Sequence, residues 1–227
     1  MKRKLFVMAA SFLAAFVLWT LAVQWIDVRS IGPQESTVGL AALNQFVHRL
    51  TGVHMFLYTL TDWLSLVPLA LIAGFAALGL LQWIRRKSIL KVDFSLLALG
   101  KFYVIVMAVY LFFEIVVINY RPVLIDGMLE ASYPSSTTML VLCVMPTAAM
   151  QFNIRIHKQL TRKRITCALH CFTVFMVIGR LISGVHWFTD IVGGTLLSTC
   201  LVTMYHALCA KHLKRASQTS SNGGLSR

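Results

Sequence analysis

At 227 residues, 58% of them hydrophobic and only 13% charged, the chain is too poor in charge for a soluble domain, which carries roughly 25%. A formal net charge of +13 would suggest nucleic acid in a soluble protein. Here no basic stripe with interleaved aromatics lies outside the apolar runs, so nucleic acid is not expected and a bilayer with anionic headgroups is the expected partner.

The amino end is basic (Lys2, Arg3, Lys4) and leads into an apolar run, Leu5–Ile26. That run is too long for a signal peptide and has no clear small-residue cleavage site, so it reads as a first retained span. Five further runs follow: Trp63–Ile84, Phe94–Ile118, Thr137–Phe152, Ile165–Ile182 and Trp187–Cys209. About 20 apolar residues cross a bilayer, and the expected fold is therefore all-α, a six-span transmembrane helix bundle. The segment between the first two spans, Ile31 to Asp62, carries Leu43, Phe46, Val47, Leu50, Val53, Phe56, Leu57 and Leu60 at helical spacing, broken near Gly52. It reads as a helix lying on the membrane surface. Structural cover is its expected use and a lipid-facing entrance the competing one. Residues 1–215 are taken as one domain, and the Ser- and Gly-rich residues 216–227 as a disordered tail. The five cysteines all fall in apolar runs and their number is odd, so no disulfide framework follows.

Basic residues set the orientation. The amino end, the Arg85-Arg86-Lys87…Lys91 connection, the Arg155…Arg164 connection and the carboxyl end hold most of the 21 Lys and Arg residues. With six spans these four places share one side. By the positive-inside rule that side is the cytoplasm, which leaves Arg29, Arg49, Arg121 and Arg180 at the outer edge.

Three polar stretches converge on that outer edge. One runs from Glu114 to Arg121-Pro122. The second is Tyr133-Pro134-Ser135-Ser136-Thr137, opening the fourth span. The third is Arg180-Leu-Ile-Ser-Gly-Val-His-Trp-Phe-Thr-Asp190. His186 and Asp190 are four apart and would share a face if helical. A carboxylate on one ring nitrogen fixes the tautomer and frees the other nitrogen to attack or take a proton. Gly184 permits a turn between two helices. Arg121 and Arg180, beside such a pair, fit a dianionic group such as a phosphate, and the Ser-rich start of a helix offers free N–H groups for the same purpose. Taken singly, each arginine could simply reach for the interface, and the serines could be only a cap.

In this order and at this face, the residues resemble the membrane-bound type-2 phosphatidate phosphatase superfamily, relatives of the vanadium haloperoxidases. That family's pattern is K-x6-R-P, then P-S-G-H, then S-R-x5-H-x3-D. The third part stands here as G-R-x5-H-x3-D, Gly179 to Asp190; the first as E-x6-R-P, Glu114 to Pro122; the second as P-S-S-T, Pro134 to Thr137. The resemblance implies that His186 attacks phosphorus to form a phosphohistidine and that Asp190 orients its ring. It implies that Arg121, Arg180, Ser135 and Ser136 hold the phosphoryl oxygens, without metal or other cofactor. Glu114 stands where the family has a phosphate-binding lysine. Thr137 stands where it has the histidine that protonates the leaving oxygen, a loss of about 10²–10⁴ in rate. The function implied is hydrolysis of a lipid phosphate or diphosphate at the outer face, of the undecaprenyl diphosphate, phosphatidylglycerophosphate or phosphatidate type. The alternative is a phosphate-binding homologue that is catalytically impaired or silent.

Overall fold

The computed structural model describes the backbone of residues 2–222 and the side chains of residues 2–209. Helices α1 (Lys2–Trp25), α2 (Ala41–Thr51), α3 (Met55–Leu64), α4 (Leu66–Arg86), α5 (Phe94–Ile115), α6 (Ser136–Arg155), α7 (Gln159–Ile182) and α8 (Phe188–Asn222) follow one another. Among the described residues, six helical segments are long and apolar enough to cross a membrane, α3 and α4 counting as one. Of the expected tail, residues 216–222 continue α8, and residues 223–227 lie outside the described residues.

Several helix ends are marked by local chemistry. Asp93 is the N-cap residue of α5 and Ser135 that of α6, where the Ser135 hydroxyl accepts from the Thr138 N–H. Arg85 and Arg86 end α4 and Arg155 ends α6, placing cations against the negative ends of the helix dipoles. Because Lys and Arg are good helix formers, α6 and α7 also run further into their basic flanks than the apolar runs alone indicate.

Burial identifies the axis of the bundle. In the most apolar stretch of each span, 61% of α6 and 50% of α8 are buried, against 11–22% for the other four. The central pair is correspondingly less greasy: Thr137, Thr138, Thr147, Ala148 and Ala149 on α6, and Thr189, Asp190 and Ser198 on α8, are buried. Small and weakly polar side chains let membrane helices approach closely. Tyr133, Met139, Cys143, Leu197 and Tyr205 fill the main core between them and α5.

The segment before the second span departs from the sequence expectation. Gly52 does break it, at φ 69°, and α2 is amphipathic with Phe46 and Leu50 exposed. Residues 55–64, however, do not lie on the surface as a continuation of α2. They form α3, which passes through Ser65 into α4, so that Met55–Arg86 is one apolar element of 32 residues. Ser65 keeps helical angles (φ −65°, ψ −14°), and α3 has little polar surface to hold it in the interface. Nor is α2 idle cover. Asn44 is fully buried; its Oδ1 accepts from the Thr189 N–H at 3.1 Å and its Nδ2 donates to Thr189 Oγ1 at 3.0 Å. It thereby caps the first turn of α8. Asn44→Ala is expected to lower stability by about 1–3 kcal/mol, the cost of orphaning buried partners. A thermal midpoint of the solubilised protein equal to that of the unsubstituted chain would count against this role.

Two short antiparallel features, neither anticipated, sit at the same end of the bundle as the starts of α3, α6 and α8. Arg29–Ser30 pairs with Thr37–Val38. Tyr120 bridges Ala131, and Ile125 bridges Met128, around an Asp126-Gly127 turn with both residues at positive φ. Asp-Gly is the expected dipeptide for such a hairpin, so the signal was present in the sequence.

Candidate active site

The site is assembled where α5, α6, α7 and α8 meet the Tyr120–Ala131 hairpin. Arg121 stands on one arm of that hairpin. Its backbone N–H donates to the Glu130 carbonyl at 3.0 Å, and its Nε lies 3.0 Å from Glu130 Oε2. Arg180 ends α7 and is buried. Its Nη2 donates to Thr137 Oγ1 at 2.6 Å and to Asp62 Oδ1 at 3.2 Å.

His186 and Asp190 are brought together by a turn rather than by helical register. Helix α7 stops at Ile182, and Gly184 takes φ 68°. An added Cβ at Gly184 would sit 1.8 Å from the Gly52 carbonyl oxygen, so only glycine fits. The chain then enters α8, and Asp190 lies in its first turn. Asp190 Oδ2 accepts from the Trp187 N–H at 2.8 Å, half of a capping box. The same oxygen is 3.6 Å from His186 Nδ1, too long for a hydrogen bond but within reach of a small closure, as is common before substrate binds. Both side chains are buried. The reading of the pair as one helical face is corrected accordingly: His186 precedes the helix on which Asp190 stands.

On the other side of the ring, Arg121 Nη1 is 3.4 Å from His186 Nε2. A guanidinium can only donate, so Nε2 is the acceptor and Nδ1 carries the proton facing Asp190. Burial, and then the positive charges of Arg121 and Arg180, hold the His186 pKa well below its ordinary value of 6.5. The imidazole is neutral with a lone pair available on Nε2. The sign for stability follows. Below pH 6.5 the unfolded chain binds a proton that the folded chain refuses, so acid destabilises the fold by up to about 1.4 kcal/mol per pH unit. His186→Asn should flatten the decline in thermal midpoint between pH 6.5 and 5; an unaltered decline would place the titrating group elsewhere.

The remaining candidates divide into lining and support. Ser136 and Thr137 open α6, and no described residue accepts from their backbone N–H groups. Ser136, Glu114, Tyr110, Ser132 and His186 line a cavity of about 10 Å³, room for about one water. Ser135 is fully buried behind them, its N–H donating to the Asp190 carbonyl at 3.1 Å. Glu114 is exposed at the cavity wall and pairs with neither arginine; the carboxylates that do so are Glu130 and Asp62. A larger apolar groove of about 330 Å³, between α4, α5 and α6, shares Tyr110, Ser136 and Met139 with the small cavity and also reaches Thr137.

Sequence reasoning missed Glu130, Tyr58, Thr61 and Ser132. Asp62 carried a signal, a lone carboxylate at the edge of an apolar run, that was read only as a boundary.

Residues 117–213 match the family model described as the PAP2 superfamily. This stretch, which carries Arg121, Arg180, His186 and Asp190, is the PAP2-like region of the chain. The match runs from just before Arg121 through Asp190 and holds all the site residues named above from Arg121 onward; the PAP2 match leaves Glu114 and α3 outside. No curated protein matches the chain. Among solved structures, a transmembrane PAP2-type phosphatidylglycerolphosphate phosphatase from Bacillus subtilis superposes with a TM-score of 0.59 at 18% identity, over 89% of this chain and 96% of that one. This likeness is one of fold: an all-helical membrane bundle with six segments long and apolar enough to span.

Proposed function

We propose that this protein is a PAP2-type phosphatase that hydrolyses a lipid phosphate or diphosphate through a phosphohistidine on His186. The observation that carries the reading is the meeting of one neutral imidazole, two guanidiniums and the open amino end of α6 at a single point. His186 Nε2 attacks phosphorus in line with the leaving oxygen. Arg121, Arg180 and the Ser136 N–H hold the phosphoryl oxygens as charge develops, while Ser135 caps α6 behind them. Asp190 keeps the proton on Nδ1 and stabilises the imidazolium. Water then attacks phosphorus, the N–P bond breaks with its electron pair returning to Nε2, and phosphate leaves.

A lipid substrate is supported by the groove that ends on Ser136 and Thr137: an acyl or prenyl chain can stay between helices while its headgroup enters. The basic clusters at the opposite end of the bundle support an active site on the outer face, with both termini in the cytoplasm. Phosphatidate, phosphatidylglycerophosphate and undecaprenyl diphosphate are the candidate types. The environment of Thr137 favours the diphosphate. Its hydroxyl oxygen accepts from Arg180, and neither a threonine nor a guanidinium gives up a proton near neutral pH. A phosphate leaving group departs as an anion without one, whereas an alkoxide does not.

The test is release of inorganic phosphate from these lipids by the purified protein, with and without a chelator. Release should persist without metal and be fastest for the diphosphate. The same Thr137–Arg180 contact also supports a second reading, a phosphate-binding homologue with little turnover. Phosphate affinity without release from any of the three lipids would select it.

A further inference from the structure

Arg180 is held almost entirely by α3, an element outside the matched family region. Its Nη1 lies 3.4 Å from both the Tyr58 carbonyl oxygen and Thr61 Oγ1, and its Nη2 donates to Asp62 Oδ1 at 3.2 Å. The Tyr58 ring lies under the guanidinium, 4.8 Å from Cζ to the ring centroid, and the Arg121 guanidinium sits 6.0 Å from the same ring. Both distances are within reach of a cation–π contact. Thr137 is the one described acceptor of Arg180 that α3 does not supply.

The approach of α3 to α7 depends on residue 179. A Cβ built on Gly179 would lie 2.9 Å from Thr61 Cγ2, closer than real side chains come. A larger residue there would first have to displace the Thr61 methyl, so glycine lets α3 lie close against α7. The backbone is pinned again one turn on, where the His54 N–H donates to the Ser183 carbonyl at 2.9 Å.

We infer that α3 is a working part of the site, and that Asp62 is a positioning residue which aims Arg180 at the bound phosphoryl group. This rests on the reading of Arg180 as a phosphate ligand. Asp62 is more than half exposed while Arg180 is 2% exposed. The carboxylate therefore keeps most of its hydration, and it fixes one edge of a desolvated cation whose Nε is buried without an acceptor among the described residues. An arginine on a long flexible stem and without such a stop would be free to swing. Displacing a positioning group by about 1 Å costs on the order of 10² in rate.

The experiment compares Asp62→Asn, Asp62→Ala, Arg180→Ala and the Asp62→Ala/Arg180→Ala pair in the full-length protein. It measures phosphate release from a lipid diphosphate, binding of inorganic phosphate, and thermal midpoint. Asp62→Ala is expected to lower turnover by about 10²-fold and to weaken phosphate binding without moving the midpoint. Asp62→Asn, whose amide oxygen still accepts from Nη2, should recover most of both. In the Arg180→Ala background Asp62→Ala should add nothing. Independent, multiplying effects of the two substitutions would overturn the inference, as would an Asp62→Ala protein with unaltered phosphate affinity. If the unsubstituted protein binds phosphate but releases none from any lipid, the phosphatase reading fails alone, and the affinities of the same four variants still decide the role of Asp62. An unsubstituted protein that binds no phosphate overturns both.

Discussion

Replacing His186 with alanine is expected to reduce phosphate release by about 10⁴-fold or more, the loss typical of removing a nucleophile from a site whose other groups remain. The ring is buried and its Nε2 faces the centre of the site, 3.4 Å from Arg121 Nη1. No neighbouring side chain can take its place. Asp190 is engaged with the Trp187 N–H, and Thr137 has its oxygen on Arg180. The phosphate affinity of His186→Ala should survive, because both guanidiniums and the α6 amino end remain. Rapid quench of the unsubstituted protein with ³²P-labelled lipid should trap label on protein that is acid-labile and base-stable; none should form on His186→Ala. Equal phosphate release by the two proteins would end the assignment of His186 as nucleophile.

Thr137→His should do the opposite, and selectively. An imidazole there could protonate a departing alkoxide, worth about 10²–10⁴ in rate. The gain is expected on phosphatidate and phosphatidylglycerophosphate, whose leaving groups need a proton, and should be small on a lipid diphosphate, whose leaving group does not. There is room for the larger ring, because Thr137 borders the 330 Å³ groove. The new ring nitrogen can also accept from Arg180 in place of the hydroxyl. The informative quantity is the ratio of monophosphate to diphosphate turnover, together with a new descending limb in the pH–rate profile as the added acid deprotonates. A uniform change across all three lipids would show that proton donation is not what the site lacks. Glu114 is the other group to test. It borders the same cavity as His186, and Glu114→Gln should leave the monophosphate-to-diphosphate ratio unchanged if it donates no proton.

These two substitutions probe the parts of the site that were legible in the chain itself. Composition and the spacing of apolar runs established six membrane-crossing helices, because a backbone in lipid must satisfy its own hydrogen bonds and only uninterrupted apolar segments do so. The alternation of basic connections puts Arg121, Ser136, Arg180 and His186 at one end of the bundle. In both cases the signal is local: it resides in consecutive residues and needs no knowledge of what they touch. The helical reading of His186 and Asp190 failed for the complementary reason. Spacing of four is a helical signal only if the backbone between is helical, and Gly184 at positive φ, pressed against the Gly52 carbonyl, ends the helix first.

What the tertiary structure decided is which groups hold the arginines. Glu130 reaches Arg121 because an Asp-Gly turn folds its strand back, and Asp62 reaches Arg180 because Gly179 lets α3 close on α7. Asp62 and Arg180 are 118 residues apart in the chain, and no periodicity links them. Their pairing depends on the approach of two helices at a contact where glycine leaves room for the Thr61 methyl. The chain by itself set what chemistry is available at that face; the packing of α3 against α7 set where the charge is aimed.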